Sequence, residues 1–251
     1  MKRIQTFIAG VACYAVGLVS FVVLGAFIGN FGLPTTLDSP ARGSRIVSVI
    51  VDVGLVLLFA LQHSVMARPA FKDWWTQFIP RPLERSIYAL ASAFAVFILC
   101  LFWQPVGGTI WNLENPAARE ATYALYAFGW ISVVATTFLL NHFDLFGLRQ
   151  VWLHLWGRDY TPLPFATPGP YKFIRHPLYI GWFIVSWTAP TMTISHLLYA
   201  VGVTTYILIA IRHEERDLAA FHGETYENYR RRVPMLVPRL TRKPARNPQT
   251  A

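Results

Sequence analysis

Leu178-Tyr-Ile-Gly-Trp-Phe-Ile-Val-Ser-Trp-Thr-Ala-Pro-Thr-Met-Thr-Ile-Ser-His-Leu-Leu-Tyr-Ala-Val-Gly-Val-Thr-Thr-Tyr-Ile-Leu-Ile-Ala-Ile211 is the stretch that decides the architecture of this chain. A single membrane helix needs about 20 apolar residues, and this run is too long for one. Pro190 and the polar cluster from Thr191 to His196 divide it. It therefore reads as a hairpin of two rather short spans, joined near Pro190 to Ser195. One span or two decides on which side of a membrane everything after Ile211 lies.

Upstream, four further apolar runs stand out: Thr6 to Gly29, Ile46 to Met66, Ser86 to Trp103 and Ala121 to Leu140. The first is longer than a signal-peptide core of about 7–15 residues and reads as a retained span. With the hairpin this makes an all-α integral membrane protein of about six membrane helices, four clear spans plus the hairpin, followed by a charged C-terminal segment. Six crossings put both termini on one face. Of the 22 Lys and Arg, 19 then share that face, and only Arg42, Arg45 and Arg119 lie on the other. By the positive-inside rule the basic face, with both termini and the C-terminal segment, is cytoplasmic. A single span in place of the hairpin would strand the basic tail outside.

Composition agrees with a bilayer. The 251 residues are 54% hydrophobic and only 14% charged, against about 25% charged in a soluble domain. The net charge of +9 reads as basic cytoplasmic loops rather than a nucleic-acid surface. Cys13 and Cys100 lie inside apolar runs and lack metal-ligand spacing, so neither a disulfide framework nor a metal is expected. Asp52, close to the start of its span, is expected to snorkel toward the interface. The last residues, 241–251, are expected to be disordered.

The reactive side chains gather at span ends on the basic face: Gln62 and His63; Asn141, His142 and Asp144; Tyr171, Arg175, His176 and Tyr179; His213, Glu214 and Glu215. Proline suits the first turn of a helix, where its missing N–H is no loss. A helix is therefore expected to start at Pro177, with an N-terminal end that suits an anion. A cationic interface anchor with headgroup tyrosines would explain Arg175 and His176 alone. It explains poorly the acidic pair Glu214-Glu215 on so basic a face, which reads instead as a partner for Arg175-His176.

These residues carry a resemblance. Gly169-Pro-Tyr, then Arg175-His-Pro-Leu-Tyr-Ile-Gly181, then Glu214-Glu215, continuing through Leu218, Phe221, Gly223, Tyr226, Tyr229, Val233-Pro234 and Pro238, resemble the isoprenylcysteine carboxyl methyltransferase superfamily. The resemblance implies a membrane methyltransferase that uses S-adenosylmethionine. It places cofactor contacts at Leu163, Pro164, Phe165, Ala166, Tyr171, His176, Pro177, Leu178, Tyr179 and Glu214. Arg175 and the helix start at Pro177 would receive the methionine carboxylate, Glu214 would pair with the α-amino group, and tyrosine faces would meet the sulfonium. On this basis residues 142–240 form the cofactor-binding segment of a single domain, after the first span and loop (1–45) and spans two to four (46–141).

Other stretches narrow the resemblance: His63-Ser-Val-Met-Ala-Arg68, Phe71-Lys-Asp-Trp-Trp-Thr76, Pro82-Leu-Glu-Arg-Ser-Ile-Tyr88, Leu101-Phe-Trp-Gln-Pro105 and Asn141-His-Phe-Asp-Leu-Phe-Gly-Leu-Arg-Gln150. They are similar to the bacterial methanethiol S-methyltransferases, which implies a bacterial inner-membrane enzyme, a small volatile thiol as substrate and dimethyl sulfide as product. A non-catalytic NnrU-like protein, or a methyltransferase for a prenylcysteine or lipid, is the alternative. In the prenylcysteine enzymes an Arg four residues before the cofactor Glu serves the substrate carboxylate; here that position is Ala210, which fits a neutral thiol. An alkyl thiol has a pKa of roughly 8.5 or above, so a base or an electropositive site helps. His142, His63 and His176 are the candidates, with Asp144 expected to orient His142.

Overall fold

The structure is a computed structural model that describes residues 2–238, so the tail expected to be disordered lies outside the described residues. Among the described residues, five helices are long and apolar enough to cross a membrane: α1 (Arg3–Gly29), α2 (Arg45–Met66), α4 (Glu84–Phe102, entered through a 3-10 turn at Arg81–Leu83), α5 (Pro116–Leu139) and α9 (Ile194–His222). Shorter helices connect them: α3 (Pro69–Trp75), α6 (His142–Leu145), α7 (Leu148–Leu155), α8 (Pro177–Trp187) and α10 (Glu224–Arg232). The protein is an all-α integral membrane protein. α1 packs on α4 and α7, α2 on α4 and α9, and α8 on both α5 and α9. Cys13 and Cys100 are buried packing residues.

The hairpin differs from the expectation of two short spans. α8 has 11 residues and α9 has 29. At 1.5 Å per residue α8 rises about 16 Å, roughly half of a hydrocarbon core of about 30 Å. Pro190 is the reason it stops. A helix continued through Pro190 would lose a hydrogen bond and press the ring on the carbonyl of Ser186. That carbonyl accepts instead from His196 Nε2 at 3.1 Å. The chain then runs extended, and its backbone is satisfied by protein, as non-helical backbone at membrane depth must be. Leu113 N–H donates to the Pro190 carbonyl at 2.9 Å and Trp111 Nε1 to the Ala189 carbonyl at 3.1 Å. Strand β2 (Thr191–Thr193) pairs antiparallel with β1 (Thr109–Asn112). Two strands of three and four residues carry too little periodicity to be visible in the sequence.

The loops sort to two ends. At one end Asp38, between α1 and α2, accepts from Thr193 Oγ1 at 2.6 Å, and its Oδ2 lies 2.9 Å from His196 Nδ1. Burial alone would raise the Asp38 pKa, but its bonds with His196, Thr193 and Asn30 outweigh that and hold it low. Asp52 corrects its expectation. It does not snorkel; it is fully buried, and its Oδ1 accepts from the Gln104 N–H at 2.8 Å just past the end of α4. At the opposite end lie the chain before α4, the segment between α5 and α8, and residues 212–238.

α5 and α8 touch through glycines. A Cβ on Gly181 would meet Val133 Cγ2 at 2.8 Å, Val133 N at 3.1 Å and Gly129 O at 3.2 Å. Small residues at this crossing let the two backbones approach, and this fixes where the start of α8 stands.

Candidate functional site

α8 begins as the sequence suggested, with Pro177 at its first position and His176 before it. The imidazole of His176 is buried and its Nε2 lies 2.9 Å from Glu215 Oε1. A carboxylate only accepts, so Nε2 is the donor in that bond, and Nδ1 lies 3.8 Å from Glu214 Oε2. Tyr179, one turn on, donates to Glu214 Oε2 at 2.8 Å. The acidic pair within α9 thus meets the Arg-His pair entering α8.

Arg175 has a different setting from the one expected. Its Nε donates to Glu215 at 2.7 Å, and its Nη1 donates to the carbonyls of Val233 at 2.6 Å and Arg230 at 3.1 Å. Its own N–H donates to the Pro234 carbonyl. The guanidinium fastens the chain after α10 across the end of the bundle. Together with the helix start it forms one wall of a cavity of about 410 Å³, within the ordinary range for small-molecule sites.

Leu163, Pro164, Phe165, Ala166, Tyr171, Arg175, His176, Leu178, Tyr179 and Glu214 all line this cavity; Pro177, buried at the first position of α8, does not. The segment 163–168 forms its outer wall. Phe165 meets Tyr226 edge-on at 5.8 Å and lies 5.1 Å from the His222 ring and 5.4 Å from that of Tyr229. Burial, then Glu214, hold the Tyr171 hydroxyl protonated. The lining also includes Asn141, Leu218, His222, Tyr226 and Tyr229, which sequence reasoning did not assign to the site. Glu214, Leu218 and His222 repeat at four-residue spacing, and Tyr226 and Tyr229 at three. Each set therefore shares one helix face, a signal present in the sequence.

Asp144 and His142 require correction as a pair. The Asp144 carboxylate meets Arg149 at 2.9 Å, Arg85 at 3.0 Å, Gln150 at 3.3 Å and the Tyr160 hydroxyl at 3.4 Å, and has no bond to His142. It ties the start of α4 and the segment leading to residue 163 to one point. Residues two apart on a helical turn point away from each other. His142 Nε2 lies 2.8 Å from the Tyr14 hydroxyl and its Nδ1 2.8 Å from Thr137 Oγ1, with the ring stacked on Phe138 at 4.3 Å. Burial pushes the His142 pKa down. Its ring faces a second, apolar cavity of about 490 Å³ between α1 and α5. His63 is also held elsewhere, with Nε2 2.8 Å from the Tyr88 hydroxyl and Nδ1 3.0 Å from Ser92 Oγ, stacked on Phe59. Neither histidine lines the cavity at α8. Among the described residues no group of His, Cys, Asp and Glu is placed to hold a metal ion.

Comparison with known proteins completes the description. The pattern of the isoprenylcysteine carboxyl methyltransferase (ICMT) family matches residues 129–220, which contain the end of α5, all of α8 and most of α9. The chain is 51% identical to methanethiol S-methyltransferase of Crocosphaera subtropica, over 97% of this chain and 95% of that protein. It is 44% identical to methanethiol S-methyltransferase of Mycobacterium tuberculosis, over 95% of this chain and 98% of that one. It is 43% identical to methanethiol S-methyltransferase 1 of Bradyrhizobium diazoefficiens, over 94% and 84%. No solved structure matches.

Proposed function

Since this chain belongs to the methanethiol S-methyltransferase family and is a membrane methyltransferase, we propose that it transfers a methyl group from S-adenosylmethionine to methanethiol, releasing dimethyl sulfide. The observation that carries this is the cavity between α8 and α9, lined by Glu214 and by the start of α8 beside it. The residues fit such a donor. Glu214 offers a carboxylate to an α-amino group. The N–H groups at the start of α8 suit a carboxylate. The aromatic wall of Phe165, Tyr226 and Tyr229 suits a flat nucleoside, and tyrosine faces suit a sulfonium. When bound, the donor supplies an electrophilic methyl group.

The protein's part is to hold, to exclude water and to take a proton. Two histidines line the cavity, His176 and His222; His176 is the buried one, at the start of α8, and we assign it the thiol proton at Nδ1. The imidazolium so formed lies between the carboxylates of Glu214 and Glu215. Loss of the S–H proton to His176 would leave the thiol sulfur its electron pair for the new S–CH₃ bond, and the pair of the broken bond to methyl would leave with the donor. Positioning for in-line approach supplies much of the acceleration. A neutral acceptor agrees with Ala210, which offers no cation to a substrate carboxylate. Titration calorimetry of the purified protein with S-adenosylmethionine tests the donor assignment: micromolar binding is expected, and an absence of binding would reject it.

A further inference from the structure

Tyr226 and Tyr229 stand one turn apart on α10 and both line the cavity. Their hydroxyls are treated differently. Tyr229 donates to the Tyr171 carbonyl at 2.6 Å. Tyr226 is 1% exposed, and its hydroxyl has no hydrogen-bond partner among the described residues. A buried hydroxyl left unpaired is unfavourable, and nearly all such groups in folded proteins find a partner. Packing alone does not explain the oxygen, because phenylalanine would keep the same edge-on contact with Phe165. Burial first, and then the charge of Glu215, keep the phenol protonated, so it can act as a donor.

We propose that the Tyr226 hydroxyl is a ligand contact of this cavity, donating a hydrogen bond to an acceptor atom of the bound adenosyl methyl donor. The inference rests on the assignment of the cavity to that donor, and it adds Tyr226 to the residues that would hold it. Tyr229 serves as the internal control. Its hydroxyl belongs to the fold, through Tyr171. That of Tyr226 belongs to the ligand.

The test compares full-length wild type, Tyr226→Phe and Tyr229→Phe, purified in detergent. Affinity for S-adenosylhomocysteine is measured by calorimetry, and thermal unfolding is followed with and without it. Tyr226→Phe should bind roughly three- to tenfold more weakly. Its unfolding temperature without ligand should be unchanged or raised, because an unpaired buried oxygen has gone. Tyr229→Phe should unfold at a lower temperature without ligand. Equal affinity of Tyr226→Phe and wild type would overturn the inference, as would a ligand-free Tyr226→Phe that is destabilised like Tyr229→Phe. Failure of the wild type to bind would instead reject the donor assignment itself, and the inference with it.

Discussion

The Tyr179 hydroxyl donates to Glu214 Oε2 at 2.8 Å across the hairpin from α8 to α9. One oxygen of Glu214 is thereby aimed by its neighbour, while its side chain stays 45% exposed at the cavity wall. Glu214→Gln keeps this bond and removes the charge. Affinity for S-adenosylmethionine should fall about tenfold, the lower end for a charge-assisted contact, because the carboxylate is partly solvated. Calorimetry measures it; unchanged affinity in a folded Glu214→Gln protein would remove Glu214 from the donor site.

The Gly129–Gly181 crossing predicts a stability effect coupled to binding. At Gly181 a methyl group would press on Val133 N and Gly129 O, and backbone atoms cannot rotate away. Gly181→Ala should lower stability by about 1–3 kcal/mol and weaken donor binding, because α8 carries His176 and Tyr179. Gly17, with nothing within 4 Å of an added Cβ, is the control: Gly17→Ala should unfold no earlier than wild type. Equal unfolding temperatures for Gly181→Ala and wild type would refute the crossing.

For His142 the structure predicts a pH effect on stability and none on catalysis. Burial lowers its folded pKa, so below its ordinary value near 6.5 the unfolded chain takes up a proton that the folded chain resists. Its contribution is complete above that value and is lost as pH falls through and below it. His142→Gln should flatten the loss of stability between about pH 7 and pH 5. Its dimethyl sulfide rate should follow pH in parallel with wild type. A rate deficit that is large near neutrality and closes as pH rises would make His142 the base after all.

The spans were legible because each is an uninterrupted apolar run bounded by charge or by a capping residue, such as Asn115, whose side chain accepts from the Ala118 N–H at 3.1 Å. The cavity wall was legible because Arg175-His176-Pro177 marks a helix start and Glu214-Glu215 is an acidic pair just past the apolar run that ends at Ile211. What the sequence hid depended on tertiary partners. The partner of Asp52 is a backbone N–H more than fifty residues away. Asp144 seemed paired with His142 by adjacency, yet its partners are Arg85, Arg149, Gln150 and Tyr160. Tyr226 and Tyr229 look alike in sequence, and only the fold separates the committed hydroxyl from the unpartnered one.

Charge sorting predicts orientation. Both termini, and with them the cavity, should face the cytoplasm, since 19 of the 22 basic residues then lie inside. A reporter fused at Ala251 should be active only in its cytoplasmic form. Activity of a periplasmic reporter at that position would reverse the orientation.

The central claim is methyl transfer to methanethiol, and headspace gas chromatography of the purified protein tests it most directly. With methyl-labelled S-adenosylmethionine and a panel of acceptors, the account predicts labelled dimethyl sulfide from methanethiol. It also predicts loss of most of that signal in His176→Gln, by about 10²–10⁴-fold for a proton acceptor. Label appearing in a prenylcysteine or a lipid, with no dimethyl sulfide from methanethiol, would contradict it.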